Sequence, residues 1–222
     1  MRYVRLSYDL TAEDPIPVGI RPIRIMRYSD MTRGDLSNVM ELTLLSHVGT
    51  HVDAPRHFVA DGATLTDFSA DEFVFSRPMC LDLPLANGDL VSRERLAGHA
   101  ARLAECDLLL LRTGFFKVRA IDSHRYATQS PGLDACAARF LKEEFPRLRA
   151  IGLDTISLAC MVHLEEGLEA HRILLGGRNR HFLIFEDMNL SHELAGLCRV
   201  IALPLMVTGA DGCPCTILGE ME

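Results

Sequence analysis

Short apolar runs recur along the chain and predict a series of buried β-strands. The runs lie at residues 39–45, 108–112, 150–153, 182–185 and 200–203, and several of them contain almost no polar residue. Strands of this composition are expected where a sheet is covered on both faces. These segments are therefore predicted to form the centre of a sheet.

Helical patterns fall between these runs. Residues 93–103 form one candidate helix, and a second is predicted to begin with Ser130 as its N-cap and Pro131 at its first helical position. Strands that alternate with helices predict an α/β fold. The second helix would carry its apolar residues on one stripe, namely Leu133, Ala137, Phe140 and Leu141.

The length of the chain is compatible with one domain or two. The chain has 222 residues, of which 48% are hydrophobic, and this is enough to bury a substantial core. Residues 11–22 contain three prolines but are predicted to form an ordered loop rather than a domain boundary. Because no repeat or linker is evident, residues 1–222 are predicted to form one domain.

Charge and cysteine usage narrow the class of protein. The formal net charge is −7 and the basic residues are dispersed, so nucleic acid is not an expected partner. The sequence has no run of about 18 apolar residues, so no membrane span is predicted. Seven cysteines without a disulfide pattern, and the lack of an apolar signal segment after Met1, predict a cytoplasmic protein. Cys213 and Cys215 are interpreted as buried or loop thiols rather than a thiolate site.

The most informative segment lies at residues 46–58, where three histidines and an aspartate fall close together. Gly49, the β-branched residues around it and the nearby Pro55 disfavour a helix there. In an extended segment, residues two apart point the same way. The odd-numbered His47, His51 and Asp53 are therefore predicted to share one face.

Two imidazoles and a carboxylate on one face predict a site for a divalent transition metal. Three protein ligands leave positions for water and substrate, as catalytic sites require. His57 follows just beyond the turn, where it would suit a general acid or base. A lone histidine is more often an ordinary polar residue than a ligand, but a clustered set at this spacing favours the metal site.

The same segment resembles a known family. His-x-Gly-Thr-His-x-Asp-Ala-Pro-x-His-Phe is similar to the motif of the bacterial kynurenine formamidase and cyclase family. Further stretches resemble that family across nearly the whole chain, at residues 6–10, 111–115, 152–157, 171–175 and 203–205.

The resemblance implies a swivelling β/β/α domain with a mixed sheet core and flanking helices. It also implies a homo-oligomer, a dimer or tetramer, that holds one or two divalent metal ions, with Zn²⁺ or Mn²⁺ expected. By the family pattern His47, His51 and Asp53 bind the first ion, and Asp53 bridges to a second ion held by His171 and Glu186. His57 matches the acid/base position. Asp187 is the alternative to Glu186, and His163 and His181 are weaker candidate ligands that are expected to be surface residues instead.

The implied activity is the metal-dependent hydrolysis of a C–N bond in a small amide, a formamide such as N-formylkynurenine, or a cyclic amide. The chain contains no tryptophan, whereas kynurenine formamidases carry a Trp-Pro-Gly-Asp-like stretch near the N-terminus. The predicted substrate class is therefore broader than N-formylkynurenine. Two alternatives remain: a non-catalytic metal-binding or scaffold protein on the same fold, and a lactone or polyketide-type cyclase.

Overall fold

The structure is a computed structural model that describes residues 2–177 and 182–222. Its strands, numbered in chain order, are β1 (Arg2–Arg5), β2 (Arg24–Ser29), β3 (Val39–Thr43), β4 (His51–Asp53), β5 (Val74–Phe75), β6 (Pro78–Asp82), β7 (Leu90–Val91), β8 (Leu108–Arg112), β9 (Gly132–Leu133), β10 (Ala150–Leu153), β11 (Leu183–Glu186), β12 (Leu197–Pro204) and β13 (Gly212–Met221).

The helices are short. They are α1 (Arg93–Ala97), α2 (Ala100–Leu103), α3 (Phe116–Arg119), α4 (Ser123–Gln129), α5 (Ala135–Glu144) and α6 (Leu164–Leu175). Single turns of 3₁₀-helix lie at Met31–Arg33, Pro55–His57, Leu65–Asp67, Ala70–Phe73 and Met161–His163. Within the described part of the chain, no helix is both long enough and apolar enough to cross a membrane.

One mixed sheet organises the described residues. Its strand order is β5-β12-β13-β4-β11-β10-β8-β6, and β1 pairs with β13 off this path. Strands β6, β8, β10 and β11 run parallel. Strand β4 lies antiparallel between β11 and β13. Strand β12 also contacts β6, so the sheet curls until it is nearly closed.

Strand β8 shows why the apolar runs form the core. Leu109 and Leu111 pack with helices α5 and α6 on one face of the sheet. Leu108 and Leu110 pack into the second cluster, on the other face. All four side chains are fully buried. The prediction of strands covered on both faces is confirmed here, with the predicted bounds for β8 and for β10.

The predicted strand at 39–45 has a different environment. It forms β3, which pairs only with β2 among the described strands and is exposed along its length. Apolar side chains project from this two-stranded hairpin, with Tyr28 75%, Met40 55% and Leu42 58% exposed. The apolar run at residues 39–45 therefore does not form a strand of the core.

The predicted start of the second helix is wrong by four residues. Helix α5 begins at Ala135, and its N-cap is Asp134, whose carboxylate accepts a hydrogen bond from the Ala137 N–H at 2.6 Å. Ser130 instead donates to the Tyr126 carbonyl at the end of α4. The chain between them is extended because Gly132–Leu133 pairs with β7. The helix predicted at 93–103 is divided into α1 and α2.

Candidate metal centre

Strand β4 places two of the predicted ligands on one face. His51 and Asp53 are two residues apart, so their side chains point the same way. The antiparallel register sets Glu186 of β11 opposite His51, and residues directly opposed across a ladder share a face. Strand pairing therefore brings Glu186, from more than a hundred residues away, beside the His51–Asp53 pair.

His47 reaches the same place by a route that differs from the prediction. The strand begins only at His51, and Gly49 has φ of 59° in a turn. The extended segment predicted for residues 47–53 is therefore wrong over its first half. His47 still approaches the centre, because Gly212 has no side chain. A Cβ atom there would lie 2.6 Å from His47 Cε1.

Helix α6 contributes the fourth element of the cluster. His171 Nε2 lies 3.2 Å from Glu186 Oε1 and 3.8 Å from Asp53 Oδ2. His51 Nε2 lies 3.2 Å from Glu186 Oε2 and 3.4 Å from Asp53 Oδ1. His47 Nδ1 is 2.7 Å from Asp53 Oδ1. The structure thus brings together all five residues that the sequence analysis assigned to metal binding.

Backbone carbonyls fix the tautomers of two histidines. His51 Nδ1 donates to the Gly49 carbonyl and His171 Nδ1 donates to the Gly167 carbonyl, each at 2.8 Å. A carbonyl oxygen only accepts, so the Nδ1 atoms carry the protons. In the neutral rings, both Nε2 lone pairs then face the carboxylates of Asp53 and Glu186. This is the ring orientation found in metal-ligating histidines.

The centre contains buried polar atoms that make no hydrogen bond and that a bound cation would satisfy. His51 Nε2 and Asp53 Oδ2 are buried and make no hydrogen bond. Desolvation and the charge of Asp53 oppose ionisation of Glu186, but the contacts with His171 and His51 outweigh them and lower its pKa to about 2. Burial lowers the pKa of His51, yet the same two carboxylates raise it well above its ordinary value. A divalent cation fits this set of donors.

His57 lies beside the cluster. It ends the 3₁₀ turn Pro55–His57, and its ring stacks on that of His47 with centroids 3.8 Å apart. Its Nδ1 is 3.2 Å from Asp211 Oδ2. Burial lowers the pKa of His57, which favours the neutral form of the ring. A neutral imidazole can accept a proton, as the predicted acid/base role requires.

Asp211 is a site residue that the sequence analysis missed. Its carboxylate contacts His47 Nε2 at 2.8 Å as well as His57, and its Oδ1 accepts a hydrogen bond from Ser46 at 3.2 Å. Asp211 precedes Gly212 at the start of β13. An Asp-Gly pair marks a turn in a sequence, but nothing in its position indicates which histidines it meets.

Asp187, the alternative to Glu186, is engaged elsewhere. Its carboxylate accepts two hydrogen bonds from Arg119, at 2.7 and 2.8 Å, and one from the Tyr126 hydroxyl at 2.7 Å. Asp187 has φ of 51°, the left-handed conformation, so the chain turns directly after Glu186. Glu186, and not Asp187, shares the cluster with Asp53 and His171.

One of the two weaker histidine candidates, His163, lies apart from this cluster. His163 is exposed in the turn Met161–His163 and belongs to none of the metal-compatible groups found among the described residues. His181 lies outside the described residues. Cys213 and Cys215 are buried neighbours on one face of β13 and have no role in the cluster.

A cavity of about 310 Å³ opens onto the cluster. His47, His57, His171 and Glu186 form part of its wall, and most of the remaining wall is apolar. Phe58 stacks on the His171 ring, with centroids 4.7 Å apart and an interplanar angle of 18°. The cavity gives a small molecule direct access to both the candidate ligands and His57.

Comparisons with known proteins identify a family and several relatives of the chain. The family described as "Putative cyclase" matches residues 4–159. A kynurenine formamidase of Bacillus mycoides is 34% identical over 182 residues, which cover 80% of this chain and 77% of that protein. Cyclase-like protein 1 of Arabidopsis thaliana is 31% identical over 195 residues, which cover 84% of this chain and 71% of that protein.

A solved structure shows the same fold. Isatin hydrolase A from Labrenzia aggregata, bound to benzyl benzoate, superposes with a TM-score of 0.81 at 24% identity. The match covers 98% of this chain and 93% of that one. The predicted α/β fold with a mixed sheet and flanking helices is confirmed. The predicted enzyme class, a hydrolase of C–N bonds other than peptide bonds, agrees with the name of the kynurenine formamidase relative.

Proposed function

The chain belongs to the cyclase family, and on this premise we propose that it is a metal-dependent hydrolase of a small amide, formamide or cyclic amide. One observation supports this most directly. A buried cluster of histidines and carboxylates has polar atoms without a partner, and His57 lies beside that cluster on the wall of the same cavity. The two unsatisfied atoms, His51 Nε2 and Asp53 Oδ2, call for a cation. His57 supplies a proton acceptor that a storage or scaffold site does not need.

We assign the ligands as the sequence analysis predicted. His47, His51 and Asp53 would hold one divalent ion, and Asp53, His171 and Glu186 a second. His47 would exchange one of its carboxylate contacts for the ion. A bound Zn²⁺ or Mn²⁺ would supply an activated water and a positive charge for the developing oxyanion. Ser157 and the Leu158 N–H hold Glu186 Oε1 in place, at 3.1 and 2.6 Å.

His57 would carry out the proton transfers, with Asp211 as its partner. The Asp211 carboxylate accepts from His57 Nδ1, which leaves Nε2 as the basic nitrogen. His57 would take a proton from the attacking water and deliver it to the leaving nitrogen, because an amine leaves far more readily than its anion. Asp211 would orient the ring and stabilise the imidazolium formed between these two steps.

The test is hydrolysis of aryl formamides, lactams and lactones by the metal-loaded and the chelator-treated protein. We expect cleavage of at least one amide by the loaded protein, loss of cleavage on metal removal, and recovery with Zn²⁺ or Mn²⁺. His57→Ala should abolish most of the rate while the matched control His163→Ala, at an exposed histidine away from the cluster, should not. Cleavage of lactones alone would favour the cyclase-type alternative. A metal-loaded protein inert toward every compound would favour the scaffold alternative.

We further propose that the chain forms a homo-oligomer through the β2–β3 hairpin. A two-stranded hairpin alone is marginally stable in water, and this one exposes Tyr28, Met40 and Leu42 to solvent. A second copy of the chain would cover them. Light scattering should show a smaller assembly for a Tyr28→Glu, Leu42→Glu double variant. The control Ile121→Glu, at a residue 79% exposed outside the hairpin, should leave the mass unchanged. An unchanged mass for the double variant would exclude this interface.

A further inference from the structure

The cavity beside the candidate metal centre is chemically one-sided. Its ionisable wall residues, His47, His57, His171 and Glu186, all belong to the site itself. Away from them the wall is built mainly from aliphatic and aromatic side chains, among them Ile156, Leu164 and Leu168. A substrate would therefore meet ionisable side chains only at the end where the reacting carbonyl must lie.

Among the described residues that line the cavity there is no lysine or arginine. The hydroxyl of Ser157 is the one further polar side chain there, and it is occupied. It donates to Glu186 Oε1 and accepts from the Ala159 N–H, each at 3.1 Å. Arg119 forms ion pairs with Asp187 and Asp14 and does not line the cavity. No described wall residue is thus placed to neutralise a carboxylate on the substrate.

The mouth of the cavity has the same character. Val18 is 56% exposed, Met161 37% and Leu164 38%, and all three line the cavity. A charged tail that reached outward along these three residues would contact apolar side chains. The volume of about 310 Å³ lies at the lower end of the range of roughly 300–1,000 Å³ for small-molecule sites.

We propose that the substrate is a neutral aryl amide or lactam with no carboxylate or ammonium group on the part that enters the cavity. The inference rests on the proposed amide hydrolysis and deepens it. Burial of an ionised group without a partner is strongly unfavourable and forces the group to neutralise. An aromatic ring instead gains from burial against Phe58, Ile156 and Leu168. The site therefore favours uncharged substrates over ionised ones.

The test compares two compounds of nearly equal size, 4-formamidobenzamide, which is neutral, and 4-formamidobenzoate, which is anionic. With the metal-loaded protein we expect kcat/KM for the anion to be lower by about 100-fold. Equal values, or a preference for the anion, would overturn the inference.

Two variants of the cavity mouth sharpen the comparison. Val18→Arg adds a cation at an exposed loop position, and Val18→Gln is the matched control without charge. We expect Val18→Arg to reduce the ratio of kcat/KM for the neutral compound to that for the anion at least fivefold. Val18→Gln should leave this ratio unchanged. If both variants change this ratio equally, the cause is loss of apolar surface and not charge, and the inference fails.

Binding measurements separate this inference from the proposed function. If neither compound is hydrolysed, the proposed function fails for aryl formamides, and calorimetry of the same two compounds still decides the charge preference. Tighter binding of the neutral amide would support the inference alone. Tighter binding of the anion would overturn it, whatever the outcome of the hydrolysis assay.

Discussion

Replacement of Arg119 by methionine should destabilise the protein and weaken its metal centre. Arg119 on α3 is 10% exposed in its side chain, and it pairs with Asp187 and Asp14, which are 2% and 4% exposed. Its guanidinium also lies 3.9 Å from the centroid of the Tyr8 ring. One cation therefore joins the N-terminal loop to the residue that directly follows Glu186.

The magnitude follows from the burial of the partners. Methionine keeps most of the side-chain volume but leaves two buried carboxylates without their cation. Loss of one partner from a buried ion pair typically costs about 3–5 kcal/mol. For a chain of this length each kcal/mol lowers the melting temperature by about 2–4 °C. The variant should therefore melt roughly 6–20 °C below the parent protein.

The metal centre should respond because Asp187 holds the backbone at Glu186. Asp187 has a strained φ of 51°, and the Thr50 hydroxyl donates to its carbonyl at 2.5 Å. Thr50 is the neighbour of His51, so a shift at Asp187 disturbs ligands on both β11 and β4. We expect metal affinity to fall by about 10–100-fold, as for other residues that orient ligands.

The assay is thermal unfolding of metal-free protein, followed by metal titration at a temperature where both proteins are folded. The control is Arg77→Met, which breaks an ion pair with Glu105 whose side chains are 62% and 67% exposed. That pair should contribute less than about 1 kcal/mol. If Arg119→Met melts within 2 °C of Arg77→Met, the buried pair does not stabilise the fold, and the reasoning is refuted.

Three further predictions concern the cluster itself. The His51→Ala, Asp53→Ala double variant should lose its divalent metal, while His47→Ala should weaken binding less completely; metal analysis that finds full occupancy in the double variant would contradict the ligand assignment. Glu186→Gln should lower metal affinity or activity by at least about 10–100-fold, whereas an unchanged value would place Glu186 outside the centre. His57→Ala should retain the metal and lose about 10²–10⁴ in rate, and Asp211→Asn should lose less; stoichiometric loss of metal in His57→Ala would make His57 a ligand instead.

Local patterns in the sequence predict the parts of the fold that depend on short-range geometry. The buried runs at 108–112 and 150–153 match strands β8 and β10, because a strand covered on both faces needs apolar side chains on both. The pairing of His51 with Asp53 follows from alternation within one strand. The same reasoning fails at His47, because a left-handed Gly49 breaks the alternation that it assumes.

Other features depend on contacts that no local pattern contains. Asp211 reaches His47 and His57 across more than 150 positions of the chain. The start of α5 is displaced because Gly132–Leu133 joins a two-stranded sheet with β7. Arg119 resembles any other surface arginine in the sequence, yet it is buried between two carboxylates. In each case the tertiary partner, and not the local propensity, decides the structure.

The choice between Glu186 and Asp187 shows most clearly where sequence reasoning stops. Successive strand residues face opposite sides, so a shift of one residue in the pairing of β11 would exchange the two carboxylates. Only the hydrogen-bonded register decides, and it sets Glu186 opposite His51. The left-handed turn at Asp187 then directs the second carboxylate to Arg119. The two neighbours therefore have separate tasks, one facing the candidate metal centre and the other fixing the backbone that presents it.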